Sequence, residues 1–206
     1  MFRHAIALFA LVVTPLAAQS PAGWKMRVDH SASASDPDAP GNIKFVKEGA
    51  GFHCTNPQAA VYWNPANTAI GSYTIKGTFT LMKPSGHPNY YGIVFGGSGL
   101  EGAGQAYLYF EVAQNGTWLI KSRNGDATPT ITAKTPSDAV KKPDDTGKST
   151  NVLEVRVGAD KVDFAVNGTV VLSAPKTGAL GKTDGIYGIR INHLLEVQVD
   201  DFGLAK

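Results

Sequence analysis

The chain reads as an all-β protein of two packed antiparallel sheets. Apolar residues recur at every second position, and Gly, Pro and Asn break the apolar stretches at short intervals. Helical spacing is almost absent, and comparison of the strands reveals no internal repeat, which argues against a propeller or solenoid.

The elements follow in chain order. Strands are expected at Lys25 to Asp29, Ile43 to Lys47, Phe52 to Thr55 and Ala60 to Trp63. From Tyr73 to Met82, the apolar Tyr73, Ile75, Phe79 and Leu81 alternate with Thr74, Lys76, Thr78 and Thr80, giving one dry face and one wet face. A strand at Tyr91 to Gly96 precedes two segments, Ala106 to Ala113 and Thr117 to Arg123, joined across Asn115-Gly116. Asn167-Gly168 joins Lys161 to Val166 with Thr169 to Ala174 in the same way. Both dipeptides predict two-residue type I′ hairpins, because Asn and Gly tolerate positive φ. Leu153, Val155 and Val157 alternate with Glu154 and Arg156, and strands at Ile186 to Asn192 and Leu195 to Leu204 close the series. The one expected helical segment is a single turn after Ser137, stopped by Pro143.

The opening residues differ from the rest. Arg3 and His4 precede an apolar run from Ala5 to Val13, and Ala17 and Ala18 complete a secretory leader expected to be cut after Ala18. The run falls short of the roughly 20 residues of a membrane-spanning helix. The expected organisation is a leader over 1–18 and one β-sandwich domain over 19–206, secreted or periplasmic. Losing the leader removes one arginine and no acid, so the formal charge falls from +2 to +1. Such a balance offers no electrostatic footprint for nucleic acid or an anionic membrane. Cys54 is the sole cysteine, so no internal disulfide is possible, and its apolar neighbours predict a buried small hydrophobe. Ser31 to Gly41 and Lys141 to Ser149 read as surface loops.

The strand at Ala106 to Ala113 carries the most informative pattern. If Leu108, Phe110 and Val112 face the core, Tyr107, Tyr109 and Glu111 share the other face, and pairing brings Lys121 and Arg123 beside them. Rings that stack on a pyranose, next to ions that hydrogen-bond its hydroxyls, are what a sugar site needs. Arg190 and Asn192 extend this patch from another strand, and Trp63, Asn64, His87, Asn89 and Tyr90 are placed at its rim. The plainer alternative is that the tyrosines cover the sheet and Glu111 pairs with Arg123 across strands, worth at most about 1 kcal/mol.

The segments Gly51 to Pro65, Tyr90 to Leu100, Ala106 to Asp126 and Asp184 to Leu204 together resemble a bacterial family of exported concanavalin A-like proteins. The C-terminal run Asp184-Gly185-Ile186-Tyr187-Gly188-Ile189-Arg190-Ile191-Asn192, with a last strand containing Asp200-Asp201-Phe202, carries much of the resemblance. Within that likeness the chain resembles laminin G-like folds and the 3-keto-disaccharide hydrolase domain. The resemblance implies a jelly-roll sandwich with one concave sheet that often receives glycans, and it transfers no catalytic residue.

Other motifs lead nowhere. Gly97 to Gly102 matches GxGxxG but runs into a strand, where a nucleotide fingerprint needs a helix. Glycosidases of the concanavalin-like clan carry paired acids on one strand. The nearest string here, Glu196 to Asp200, lacks the middle acid, and its ends lie roughly 13 Å apart in a regular strand. Asp200 and Asp201 offer hard oxygens that suit a structural Ca²⁺, and no other cofactor is expected. Ser98 lacks the second glycine of a nucleophile elbow, and adjacent His53 and Cys54 point to opposite faces. His30, His53, His87 and His193 show no zinc spacing and read as ordinary surface or loop histidines.

Three functions remain open. The first is a glycan-binding module using Tyr109, Glu111, Arg123 and Arg190. The second is a sugar hydrolase or lyase with Glu111 as acid or base and Arg123 as its charge partner. The third is an envelope domain that meets a protein partner. The sequence gives no oligomeric state.

Overall fold

The computed structural model describes residues 20–31 and 33–205. The expected leader lies outside these residues. Among the described residues fourteen strands form the fold, in chain order β1 (Lys25–Asp29), β2 (Lys44–Glu48), β3 (Gly51–Asn56), β4 (Ala59–Ala69), β5 (Tyr73–Lys83), β6 (Tyr90–Ser98), β7 (Ala106–Ala113), β8 (Thr117–Asn124), β9 (Thr130–Pro136), β10 (Ser149–Val157), β11 (Lys161–Val166), β12 (Thr169–Pro175), β13 (Gly185–Ile191) and β14 (Leu195–Leu204). They pair antiparallel in two seven-stranded sheets, ordered β1-β4-β13-β6-β7-β8-β9 and β12-β11-β10-β5-β14-β3-β2. Neighbours in space are often distant in sequence, as where β13 lies between β4 and β6, and this is the jelly-roll weave.

The alternation read from the sequence sets the two faces of each sheet. From the first sheet, Tyr62, Ile93, Phe95, Phe110, Ile120, Ile189 and Ile191 turn inward and are fully buried. Ile75, Phe79, Leu81, Leu153, Val155, Phe164, Val197 and Val199 answer from the second. Phe164 touches both Phe110 and Phe95 across the interface, with ring centroids 5.3 and 6.1 Å apart. Cys54 lies in this core with no exposure, and burial pushes its thiol above the usual range.

Local details depart from expectation in three places. Asn167 and Gly168 both have positive φ, so that hairpin is the expected type I′ turn. At the other hairpin only Gly116 does, and its amide donates to the Ala113 carbonyl at 3.0 Å. That hairpin is therefore a four-residue turn ending on a left-handed glycine, not a two-residue type I′ loop. The single turn expected after Ser137 is closed by Val140 N–H to the Ser137 carbonyl, without helical form, and an unforeseen 3-10 helix occupies Gly178–Gly181. Strand β9 is an addition. Its largely exposed Thr-Ile-Thr-Ala-Lys-Thr-Pro run occupies a sheet edge, where little hydrophobic patterning is demanded.

Because Phe164 contacts rings of two facing strands, Phe164→Ala should lower the unfolding free energy by about 3–5 kcal/mol. Urea denaturation of the variant and the wild type measures this directly.

Candidate functional site

The outer face of the first sheet carries a second apolar cluster containing Val61, Trp63, Tyr90, Val94, Tyr107, Tyr109 and Leu119. Charged groups are embedded in it. Cross-strand register aligns Leu119 of β8, Glu111 of β7, Gly92 of β6, Arg190 of β13, Val61 of β4 and Arg27 of β1 in one row. Glu111 and Arg190 stand two strands apart, roughly 10 Å at the usual strand spacing. The position between them is Gly92, and across it Arg190 Nη1 comes within 3.4 Å of Glu111 Oε1. A Cβ on Gly92 would lie 2.2 Å from the Phe110 carbonyl oxygen and 2.9 Å from the Glu111 Cα, so the tight approach of β6 to β7 needs a glycine.

Arg190 is the hub. Its guanidinium lies 5.2 Å over the Tyr109 ring, donates to Asn192 Oδ1, and approaches Asp29 Oδ2 at 3.8 Å. Asp29 ends β1 and gathers two further arginines, Arg27 and Arg123, each at 3.7 Å. The Tyr107 hydroxyl donates to Asp29 at 3.4 Å, and Tyr107 lies edge-near Tyr109 at 5.6 Å between centroids. Burial opposes the charge on Arg190, but Glu111, Tyr107, Tyr109 and Asp29 outweigh it and hold the guanidinium protonated. For Glu111 burial prevails over the pull of Arg190 and Lys121, and its carboxyl is pushed up to about 7.

The expected grouping is present: Lys121 pairs with Tyr109 and Arg123 with Tyr107 in the register, and Arg190 and Asn192 join them. The expected exposure is corrected. Tyr107 and Tyr109 are each 3% exposed and Glu111 is 1% exposed, because an outer apolar cluster and the guanidinium pack over them. The expected Glu111 with Arg123 partnership is corrected as well: Arg123 turns to Asp29, Asp126 and the Gly125 carbonyl, and Glu111 takes Arg190. What opens to solvent are two adjoining cavities. One of about 190 Å³ is walled by residues including Asp29, Asp38, Arg123 and His193, and one of about 270 Å³ by residues including His87, Tyr109, Glu111, Lys121 and Lys134. They share Asp36, Asn89, Arg190 and Asn192, and together form a cleft with Arg190 in both walls. Two buried donors in it, Arg190 Nε and Asn89 Nδ2, have no hydrogen-bond acceptor.

Rim residues divide. His87, Asn89 and Tyr90 do border the cleft, but Trp63 is buried and borders a different cavity, of about 370 Å³, with Pro65, Leu100 and Ile186. Asn64 is occupied locally, accepting from the Ala66 amide at 3.0 Å. The Gly97 to Gly102 loop folds over that end of the sheet, where Arg27 donates to the Gly102 carbonyl and Lys25 pairs with Glu101. A larger cavity, about 510 Å³, lies at the far end of β7 and β8 beside the 3-10 turn, and reaches Tyr107 and Arg123 but neither Glu111 nor Arg190.

The second sheet holds the remaining candidates. Glu196 sits 3.1 Å from His53 Nε2, and Asp200 accepts from Gln198, on strand β14 of the sheet opposite the cleft. Asp201 follows with φ +52 where the β14–β5 register shifts. The histidines are corrected too: His87 and His193 are not separate loop residues but converge on Asp36 at 2.8 and 3.1 Å. Sequence reading missed Asp29, Asp36, Asp38 and His193 as site residues. Asp29 had a usable signal, a charge closing a short strand, whereas the others meet only through the fold.

No family model and no curated protein sequence matches the chain. Solved structures do resemble it. A carbohydrate binding module, CBM66, from Bacillus subtilis superposes with a TM-score of 0.62 at 11% identity, over 89% of this chain and 96% of that one. A laminarinase from Flavobacterium sp. UMI-01 gives 0.58 at 11% identity over 93% and 96%. The potassium-bound carbohydrate recognition domain of Emp46p gives 0.56 at 13% identity over 88% of each. The fold is therefore the two-sheet jelly-roll sandwich that these structures share.

Two outcomes follow from the geometry. Folded Glu111 keeps its proton up to about pH 7, whereas in the unfolded chain it titrates near its ordinary 4.5. Between those values the native state binds more protons, so this group makes stability fall as pH rises through that window. Glu111→Gln should abolish its share, about 2–3 kcal/mol between about pH 5 and about pH 8, in urea denaturation at the two pH values. Gly92→Ala should cost about 1–3 kcal/mol in the same assay by forcing β6 from β7.

Proposed function

We propose that this chain binds carbohydrate in the cleft above Glu111 and Arg190, with Tyr109, Asn89, Asn192 and Lys121 completing the contacts and Tyr107 and Arg123 holding the network beneath. The observation that carries this reading is the pair of unpaired donors, Arg190 Nε and Asn89 Nδ2, buried in the walls of a polar cleft. A buried donor left unsatisfied costs about 1–3 kcal/mol. A sugar supplies hydroxyl oxygens for both donors. The names of the similar structures support the same class of ligand, since they include a carbohydrate binding module and a carbohydrate recognition domain. The leader-like opening supports action outside the cytoplasm, in the periplasm or beyond it.

A second reading has its own support. A carboxyl pushed up to about 7 in a desolvated cleft is suited to general acid or base work, and one similar structure is a laminarinase. On that reading Glu111 exchanges a proton with a sugar hydroxyl or glycosidic oxygen while Arg190 steadies its ionised form.

A glycan array followed by titration calorimetry on the best binder tests both. Asn89→Ala should weaken binding about tenfold, equivalent to about 1.4 kcal/mol, and Tyr109→Ala should weaken it further, with each variant's unfolding midpoint recorded. Wild-type binding that survives in both variants would overturn the assignment of this cleft, as would failure to bind any glycan. Release of shortened sugars by the wild type but not by Glu111→Gln would establish the second reading.

A further inference from the structure

The geometry points to a site for a divalent first-row transition-metal ion, with Zn²⁺ the best match, formed by His87, His193 and Asp36 at the wall of the cleft. The three come from separate connections. Asp36 lies between β1 and β2, His87 between β5 and β6, and His193 in the turn between β13 and β14, where Leu194 takes φ +58. One ligand atom from each lies within 4.8 Å of the other two. His87 Nε2 is 2.8 Å and His193 Nε2 3.1 Å from the same oxygen, Asp36 Oδ1. The two rings meet edge-on, 5.8 Å between centroids at 87°, so they approach that oxygen from different directions. A tetrahedral shell with bonds of about 2.0–2.1 Å would hold its donors roughly 3.3 Å apart, close to what is seen.

Simple ion pairing accounts for this cluster poorly. An imidazolium N–H would point at the carboxylate, yet Asp36 Oδ1 and His87 Nε2 are buried atoms without a hydrogen-bond partner despite their short separation. Lone pairs that converge without a proton between them are what a cation satisfies. The surroundings also fit. His193 Nδ1 lies 3.1 Å from Asp38 Oδ1, which favours the proton on Nδ1 and leaves Nε2 free to coordinate. Asp38 is held in turn by the Ser31 amide at 3.0 Å and by His30 at 3.2 Å. Two imidazoles and one carboxylate suit zinc with a fourth position left for water or a ligand, whereas Ca²⁺ demands six to eight oxygens. Asp36 borders both cavities of the cleft, so that open position is on the cleft side.

The test uses the chain without a histidine tag, stripped with chelator and titrated with ZnCl₂ by calorimetry. One ion per chain at micromolar affinity or tighter is expected, with a rise in the unfolding midpoint on adding Zn²⁺. His87→Ala and His193→Ala should each weaken binding at least a hundredfold, and Asp38→Asn about 10–100-fold through loss of orientation. His53→Ala, which removes a histidine flanked by Glu48 and Glu196 elsewhere, should bind like the wild type, and millimolar Ca²⁺ should not compete. As a readout that does not rely on the variants folding, Co²⁺ added to the stripped wild type should give the visible bands of a four- or five-coordinate site. No uptake of Zn²⁺, or uptake lost in His53→Ala and kept in His87→Ala and His193→Ala, would overturn the site. Glycan binding plays no part in this assay, so its outcome stands apart from that of the proposed function.

Discussion

A guanidinium buried on the outer face of a sheet is the constraint from which the rest of this surface follows. Arg190 is 8% exposed, and removing a full charge from water is costly unless every side of it is answered. Glu111, Asp29, Asn192 and the Tyr109 ring answer most of it, and Nε alone is left without an acceptor. Asp29 must in turn be compensated, and Arg27 and Arg123 do so. Gly92 belongs to this arrangement too, since a Cβ there would strike the Phe110 carbonyl and the Glu111 backbone and push β6 away from β7. A buried ion pair is a weak route to stability, because apolar residues of similar volume would often do better. Its presence in a cleft, with donors left over, therefore speaks for recognition.

The sandwich makes that arrangement affordable. The inner faces of both sheets are mostly apolar, broken by the buried Asn56, Ser149 and Asn151, and Phe110, Phe95 and Phe164 lock them together. Strands β7, β6 and β13 are anchored by this core on one side, so the polar row on their other side is carried on a rigid base. The loops that border the cleft have a different character. They bring Asp36, His87 and His193 together from connections far apart in sequence, and their geometry is set by turns and by Asp38, not by a hydrophobic face.

Much of this was legible in the sequence, for a physical reason. A period of two reports which face a side chain takes, so the inward Leu108, Phe110 and Val112 and the outward Tyr107, Tyr109 and Glu111 could be read directly. Pairing across a hairpin is local, so Lys121 and Arg123 could also be placed. The same reasoning could not tell that the outward face would be closed over, because that depends on a long arginine from a strand 79 residues away reaching across Gly92. For the same reason it assigned Glu111 to Arg123, where the fold supplies Arg190. Zinc spacing rules depend on ligands sharing one helix or turn, and a cluster assembled from three loops leaves no such trace. Strand β9 escaped notice because an exposed edge needs no apolar alternation.

The central claim is that the cleft over Arg190 is where a sugar sits. A crystal structure of the protein with the glycan it binds best tests this most directly. The account predicts sugar density between Tyr109, Asn89 and Asn192, with oxygens within hydrogen-bonding reach of Arg190 Nε and Asn89 Nδ2. Density on the second sheet or beside Trp63, with both of those donors still unpaired, would contradict it.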